Sequence, residues 1–140
     1  MDENLLRQIK GGPELLTWFD HPPSFHDGEI VRLELNREGT VCRFDVWHWN
    51  HREELVDGET RCKTNYGIIT FELWGVYEIE LFDFNFQNVV SEIELEKLPD
   101  GTYRIEIGQC HGLYGHICAR DICFGLLPGL PPDRIRPKVP

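Results

Sequence analysis

The sequence of 140 residues holds few of the groups on which common enzyme chemistries rest. Serine occurs only as Ser24 and Ser91, no Gly-x-Ser-x-Gly is present, and no glycine-rich loop precedes a helix. These absences argue against a serine nucleophile elbow and against nucleotide phosphate binding. The cysteines, Cys42, Cys62, Cys110, Cys118 and Cys123, are odd in number and contain no Cys-x-x-Cys, so neither a disulfide framework nor a zinc-ribbon spacing can be read. Free thiols in a reducing compartment fit them best. Basic residues are scarce, 14 against 24 acidic, and the net charge of −10 repels phosphate backbones while steering a basic partner. There is no Asn-x-Ser/Thr acceptor, no basic and then apolar leader, and no apolar run of membrane-spanning length. The expectation is a cytoplasmic protein without nucleic-acid or membrane contact, of unassigned oligomeric state.

What is present reads as mostly strand. Asp2 to Lys10 predicts a short helix with Leu5, Leu6 and Ile9 on one side, stopped by Gly11-Gly12-Pro13, and a second short helix is expected from Pro13, an acceptable first helical residue, through Glu14, Leu15, Leu16 and Trp18. From Glu29 the period becomes two: Val31, Leu33 and Leu35 alternate with Arg32, Glu34 and Asn36, and Arg37-Glu38-Gly39 closes a hairpin into Thr40 to Trp49. The polar stretch Asn50 to Asn65 reads as a long loop. Gly67 to Trp74 and Val76 to Phe84 read as two strands about Gly75, Val89 to Leu98 alternates again, Pro99-Asp100-Gly101 turns the chain, and strands follow at Tyr103 and at Gly115 to Phe124. The fold class is mainly β, at the α+β border: an antiparallel sheet of about six to seven strands, rolled or doubled into a sandwich, with one or two short N-terminal helices. One domain over residues 1–127 and a proline-rich tail over 128–140 complete the organisation.

Three histidine-bearing clusters bear on chemistry. His26-Asp27 has the ligand types of metal phosphohydrolases, but Gly28 and the nearby prolines spoil the helix such sites use, so a backbone hydrogen bond at a strand entry competes. His48-x-x-His51 shares a metal only if the strand end bends into a helical turn. Cys110, His111, His116 and Cys118 hold soft ligands within nine residues, against which stands a packed strand with Cys118 as a small apolar residue. None has a diagnostic spacing, and the expectation is no metal, no cofactor and no catalytic set.

The acidic strands say more. Residues 71–96 carry Glu72, Glu78, Glu80, Asp83, Glu92, Glu94 and Glu96 without one Lys or Arg. Glu78 and Glu80 share a strand face, as do Glu92, Glu94 and Glu96, and pairing of those strands would build one acidic surface. Glu78, Glu80, Asp83, Glu92, Glu94 and Glu96, with Trp47 and Trp49 as aromatic anchors, are the candidate partner-binding residues. A solvated outer face is the competing reading.

Three segments in order, Pro23-Ser24-Phe25-His26-Asp27-Gly28-Glu29-Ile30, Phe84-Asn85-Phe86-Gln87-Asn88-Val89 and Gly112-Leu113-Tyr114-Gly115-His116-Ile117-Cys118, resemble the immunity protein 50 family. That family comprises small bacterial cytoplasmic proteins of polymorphic toxin systems, which neutralise a toxin domain secreted by the same or a kindred cell. Ser24, Phe25, His26, Asp27, Glu29, Asn85, Gln87 and Asn88 match its distinctive positions, with no catalytic role attached to them. The resemblance implies a non-enzymatic antitoxin whose partner is a cognate, basic toxin domain. The alternatives are a metal-dependent hydrolase built on His26, Asp27, His111 and His116, and an adaptor that docks through the tail residues Arg134, Arg136 and Lys138.

Overall fold

A computed structural model describes residues 1–129; the expected tail lies outside the described residues apart from its first two positions. Asp2 caps the helix α1 (Glu3–Arg7) by accepting from the Asn4 amide at 3.0 Å. Gly11, at φ +85°, then lets the chain pass so close to β-sheet backbone that a Cβ there would lie 2.0 Å from the Phe124 carbonyl oxygen. The helix α2 (Gly12–Phe19) follows, with a proline in its first turn, where the missing amide is no loss. Leu5, Leu6, Leu15, Leu16 and Phe19 turn into the common core.

Six strands follow: β1 (Glu29–Asn36), β2 (Val41–Val56), β3 (Glu59–Phe82), β4 (Val89–Lys97), β5 (Tyr103–His111) and β6 (Tyr114–Pro128). All neighbours are antiparallel, and the order β1-β2-β3-β6-β5-β4 closes on itself through β1 and β4 into a barrel. The sheet therefore rolls rather than doubles. Alternation along β2 sends Cys42, Phe44, Val46 and His48 inward. Inside, Phe44 stacks on Phe71 at 4.5 Å, and Phe25 and Phe124 meet Phe71 edge-on at 5.3 and 5.1 Å.

Four sequence expectations change. Asn50 to Asn65 is not a loop: β2 and β3 continue through it in register, Asn50↔Asn65 to Val56↔Glu59, around Asp57-Gly58. Both turn residues have positive φ, 52° and 78°, the twist that suits a two-residue hairpin. This distal arm is open to solvent on both faces, Leu55 being 77% exposed, so it shows no alternation for periodicity to find. Gly67 to Trp74 and Val76 to Phe84 are one strand, in which Gly75 at φ +63° precedes a bulge between Val76 and Glu78. In β1 an irregularity between Ile30 and Arg32 shifts the phase, so Ile30 is buried and Leu33 packs on the core while Leu35 stays exposed. The last strand reaches Pro128, one residue into the expected tail.

Candidate functional site

The three resembling segments lie far apart in sequence but converge at the barrel seam. Asn88, buried at 2% exposure, is their junction: its Oδ1 accepts from the Asn85 and Leu113 amides at 2.9 and 3.0 Å, and its Nδ2 donates to the Asn85 carbonyl at 2.7 Å. Its own carbonyl accepts from the Ile30 amide at 2.8 Å, and Glu29 pairs with Val89. Upstream, the Asp27 amide donates to the Val90 carbonyl, the Val90 amide to Gly28, and the Ile93 amide to Ser24. Asn85 Oδ1 also accepts from the Phe86 amide, whereas Gln87 contributes its backbone, which approaches Gly112.

The seam has a strained start. Phe25 and Asp27 both adopt positive φ, 65° and 64°, a conformation non-glycine residues avoid unless the surroundings compel it. What compels it is the fully buried Phe25 ring, wedged between Phe19, His48 and Phe71, with Gly28 turning beneath it. Ser24 Oγ accepts from the His26 amide at 3.3 Å, and His26 Nδ1 lies 2.8 Å from the Ser91 carbonyl oxygen. Partial burial pushes the Glu29 carboxyl up. Ser24, Phe25, Asn85 and Asn88 thus build the seam: buried Asn88 spends its side-chain amide on backbone, whereas Ser24 and Asn85 are exposed and accept from neighbouring backbone amides.

The histidines do not share one site. His26 and Asp27 come together with Cys110 on an exposed rim. His116 lies with Glu78 and Cys118 instead, so His26, Asp27, His111 and His116 form no common ligand group among the described residues. His48 points into the core and His51 out to Thr64 at 3.0 Å, which rules out a metal shared between them. Burial drives His48 down to about 4, and its Nδ1 has no hydrogen-bond partner.

The carboxylates gather on one outer face, but not by the expected route. β3 and β4 do not pair; β6 and β5 stand between them. Cross-strand register nevertheless lines up Glu80, His116, Glu106 and Glu94 in one row, and Glu78, Cys118, Arg104 and Glu96 in the next. Glu92 joins through the depression it lines with Glu94, Glu106 and Tyr114. In these rows Arg104 is the one permanent cation against Glu78, Glu80, Glu94, Glu96 and Glu106. Glu94 and Glu106 stand directly opposite each other, an arrangement that costs roughly 0.2–1 kcal/mol in an isolated sheet. Phe82 stacks on Tyr114 at 5.2 Å along one margin, and Phe84 and Phe86 are exposed on the following loop, which Asp83 begins at φ +59°.

Trp47 and Trp49 lie elsewhere. They sit half-buried on the outer face of β2, 6.0 Å apart, with Trp47 stacked on Tyr66 at 5.6 Å. Trp49 pairs with Tyr66, twelve residues of strand before Glu78, or roughly 40 Å along β3. The adjoining arm is anchored by Arg52, which donates to Asp20 Oδ2 at 3.0 Å and to the Thr17 and Trp18 carbonyls at 2.6 and 2.7 Å. Residue-by-residue reading missed Glu106, because Tyr103 to Ile107 was assigned by its apolar positions alone. The alternation of Arg104 and Glu106 with Ile105 and Ile107 was the available signal.

No helix is long and apolar enough to cross a membrane among the described residues. Compared with known proteins, the chain matches no family model, no curated protein and no solved structure.

Proposed function

We propose that this chain is a non-enzymatic immunity protein that neutralises a cognate basic toxin domain by binding it, and that the outer face of β3, β6, β5 and β4 is the binding surface. The observation that carries the reading is the row from Glu80 through His116 and Glu106 to Glu94, flanked by Glu78, Glu92 and Glu96. Carboxylates concentrated across four strands disfavour the free barrel, and a cationic partner turns that repulsion into attraction. The stacked Phe82 and Tyr114 at the margin supply the aromatic area that anchors interfaces. Neutralisation in this form needs no chemistry: covering the toxin's active site is sufficient. The three segments that resemble the immunity family are consistent with this role, since they build the barrel that displays the face.

The test starts with the partner captured at low salt by the tagged chain from its native cells, followed by association kinetics with the purified pair. Reversing Glu80, Glu94 and Glu106 to Lys is expected to slow association at low salt by at least about tenfold, with the difference shrinking as salt rises. An unchanged association rate removes this face from the interface. A captured partner whose toxicity is unaffected by the chain removes immunity itself.

A further inference from the structure

We infer that the outer face of the barrel carries a binding site for one thiophilic divalent cation, with zinc the best fit, formed by Glu78, His116 and Cys118. The site lies on the same outer face as the proposed interface, but its donor geometry does not depend on the immunity reading. His116 and Cys118 are two apart on β6 and so project to the same side, and Glu78 is the cross-strand partner of Cys118. His116 Nε2 lies 3.3 Å from Glu78 Oε2, and Cys118 Sγ lies 3.5 Å from the same carboxylate oxygen. A tetrahedral zinc bound to nitrogen and oxygen at its usual bond lengths separates them by roughly 3.3 Å, and sulfur from oxygen by roughly 3.5 Å. All three donor atoms lie within 4.8 Å of one another.

Two further features point to a cation. His116 Nε2 is fully covered and makes no hydrogen bond, although its ring is aimed at the carboxylate; a lone pair without a partner in such a place suits a metal. On the other side of the ring Nδ1 faces Glu80 Oε2 at 4.0 Å. A carboxylate behind a ligating imidazole is the usual means of fixing its tautomer and raising its basicity. Cys118 is 3% exposed, and a thiol ligates a metal as the thiolate. Binding replaces the S–H bond with an S–metal bond and releases that proton to solvent, so affinity rises with pH. Three protein donors leave the fourth position to water or to a group from a bound partner.

The test is titration of the purified chain with zinc against a chromophoric chelator, and with cobalt to read thiolate-to-metal charge transfer. One equivalent should bind with a charge-transfer band and release of a proton. Cys118→Ser should abolish the band, and Glu78→Gln, a change at a half-exposed side chain that leaves the core untouched, should weaken binding at least about tenfold. Glu80→Gln should weaken it by about 10–100-fold without removing the band, as expected of a positioning residue. Binding no tighter in the native chain than in Glu78→Gln overturns the site. A band that survives Cys118→Ser and disappears in Cys110→Ser overturns it too, and moves the metal to His26, Asp27 and Cys110.

Discussion

His48 gives the sharpest handle on the fold. Its imidazole is buried between Phe19, Phe25 and Trp49, with ring centroids 5.6, 5.5 and 4.8 Å away. Desolvation lowers its pKa from 6.5 to about 4; Asp27 opposes the shift weakly, and His26 and His51 add to it. The unfolded chain thus takes up a proton below 6.5 that the folded chain refuses until about 4. The sign is fixed: the unfolded state binds more protons in that window, so stability falls as pH falls through it. A difference of about 2.5 units at 1.36 kcal/mol each makes the full loss about 3 kcal/mol. Urea unfolding of the native chain and of His48→Gln, at about pH 7 and about pH 4, isolates this contribution from the carboxylates, which titrate in both. The native chain should lose about 3 kcal/mol more than the variant over that range. Equal losses, or an NMR titration placing His48 near its ordinary value in the folded chain, would refute the reasoning.

Three further outcomes follow from the same geometry. Asn88→Ala strands the buried Leu113 amide and the Asn85 amide at the seam, and should lower the unfolding free energy by roughly 3 kcal/mol, read as a shifted urea midpoint at unchanged slope. Phe25→Ala should cost about 3–5 kcal/mol, whereas Phe86→Ala, at 77% exposure, should stay within about 0.5; comparable effects would mean Phe25 is not the wedge of the seam. Gly115→Ala should disrupt the β3–β6 pairing, since its Cβ would lie 1.9 Å from the Glu80 carbonyl oxygen at φ +138°; loss of amide-exchange protection at Glu80 and Leu81 reads this locally.

The seam shows what Ser24 to Gly28, Asn85 to Asn88 and Leu113 do in the fold. Closing a six-stranded barrel requires the first strand to meet the fourth, and that junction has one backbone pair, Glu29↔Val89. The remaining hydrogen bonds come from residues in irregular conformations, Ser24 to Gly28 on one side and Asn85 to Asn88 on the other. Side-chain identity matters there because the regular ladder has run out.

The sequence by itself determined whatever depends on local pattern. Alternation at Val41 to Trp49, Ile93 to Leu95 and Ile105 to Ile107 was enough for strands, Pro99-Asp100-Gly101 for a turn, and Gly11-Gly12-Pro13 for the break between two short helices. It also determined the excess of carboxylates in residues 71–96. The distal arm escaped because neither of its faces is buried, so burial imposed no alternation; only Asp57-Gly58 marked it. Tertiary structure decided what lies beside what. Barrel closure set β6 and β5 between the two acidic strands, adding Glu106 and Arg104 to the face, and register alone brought Glu78 to Cys118 and His116. It also parted His26 and Asp27 from His116, and Trp47 and Trp49 from the carboxylates. Such neighbourhoods depend on strand order and on bulges that shift phase by one residue, and no local periodicity encodes either.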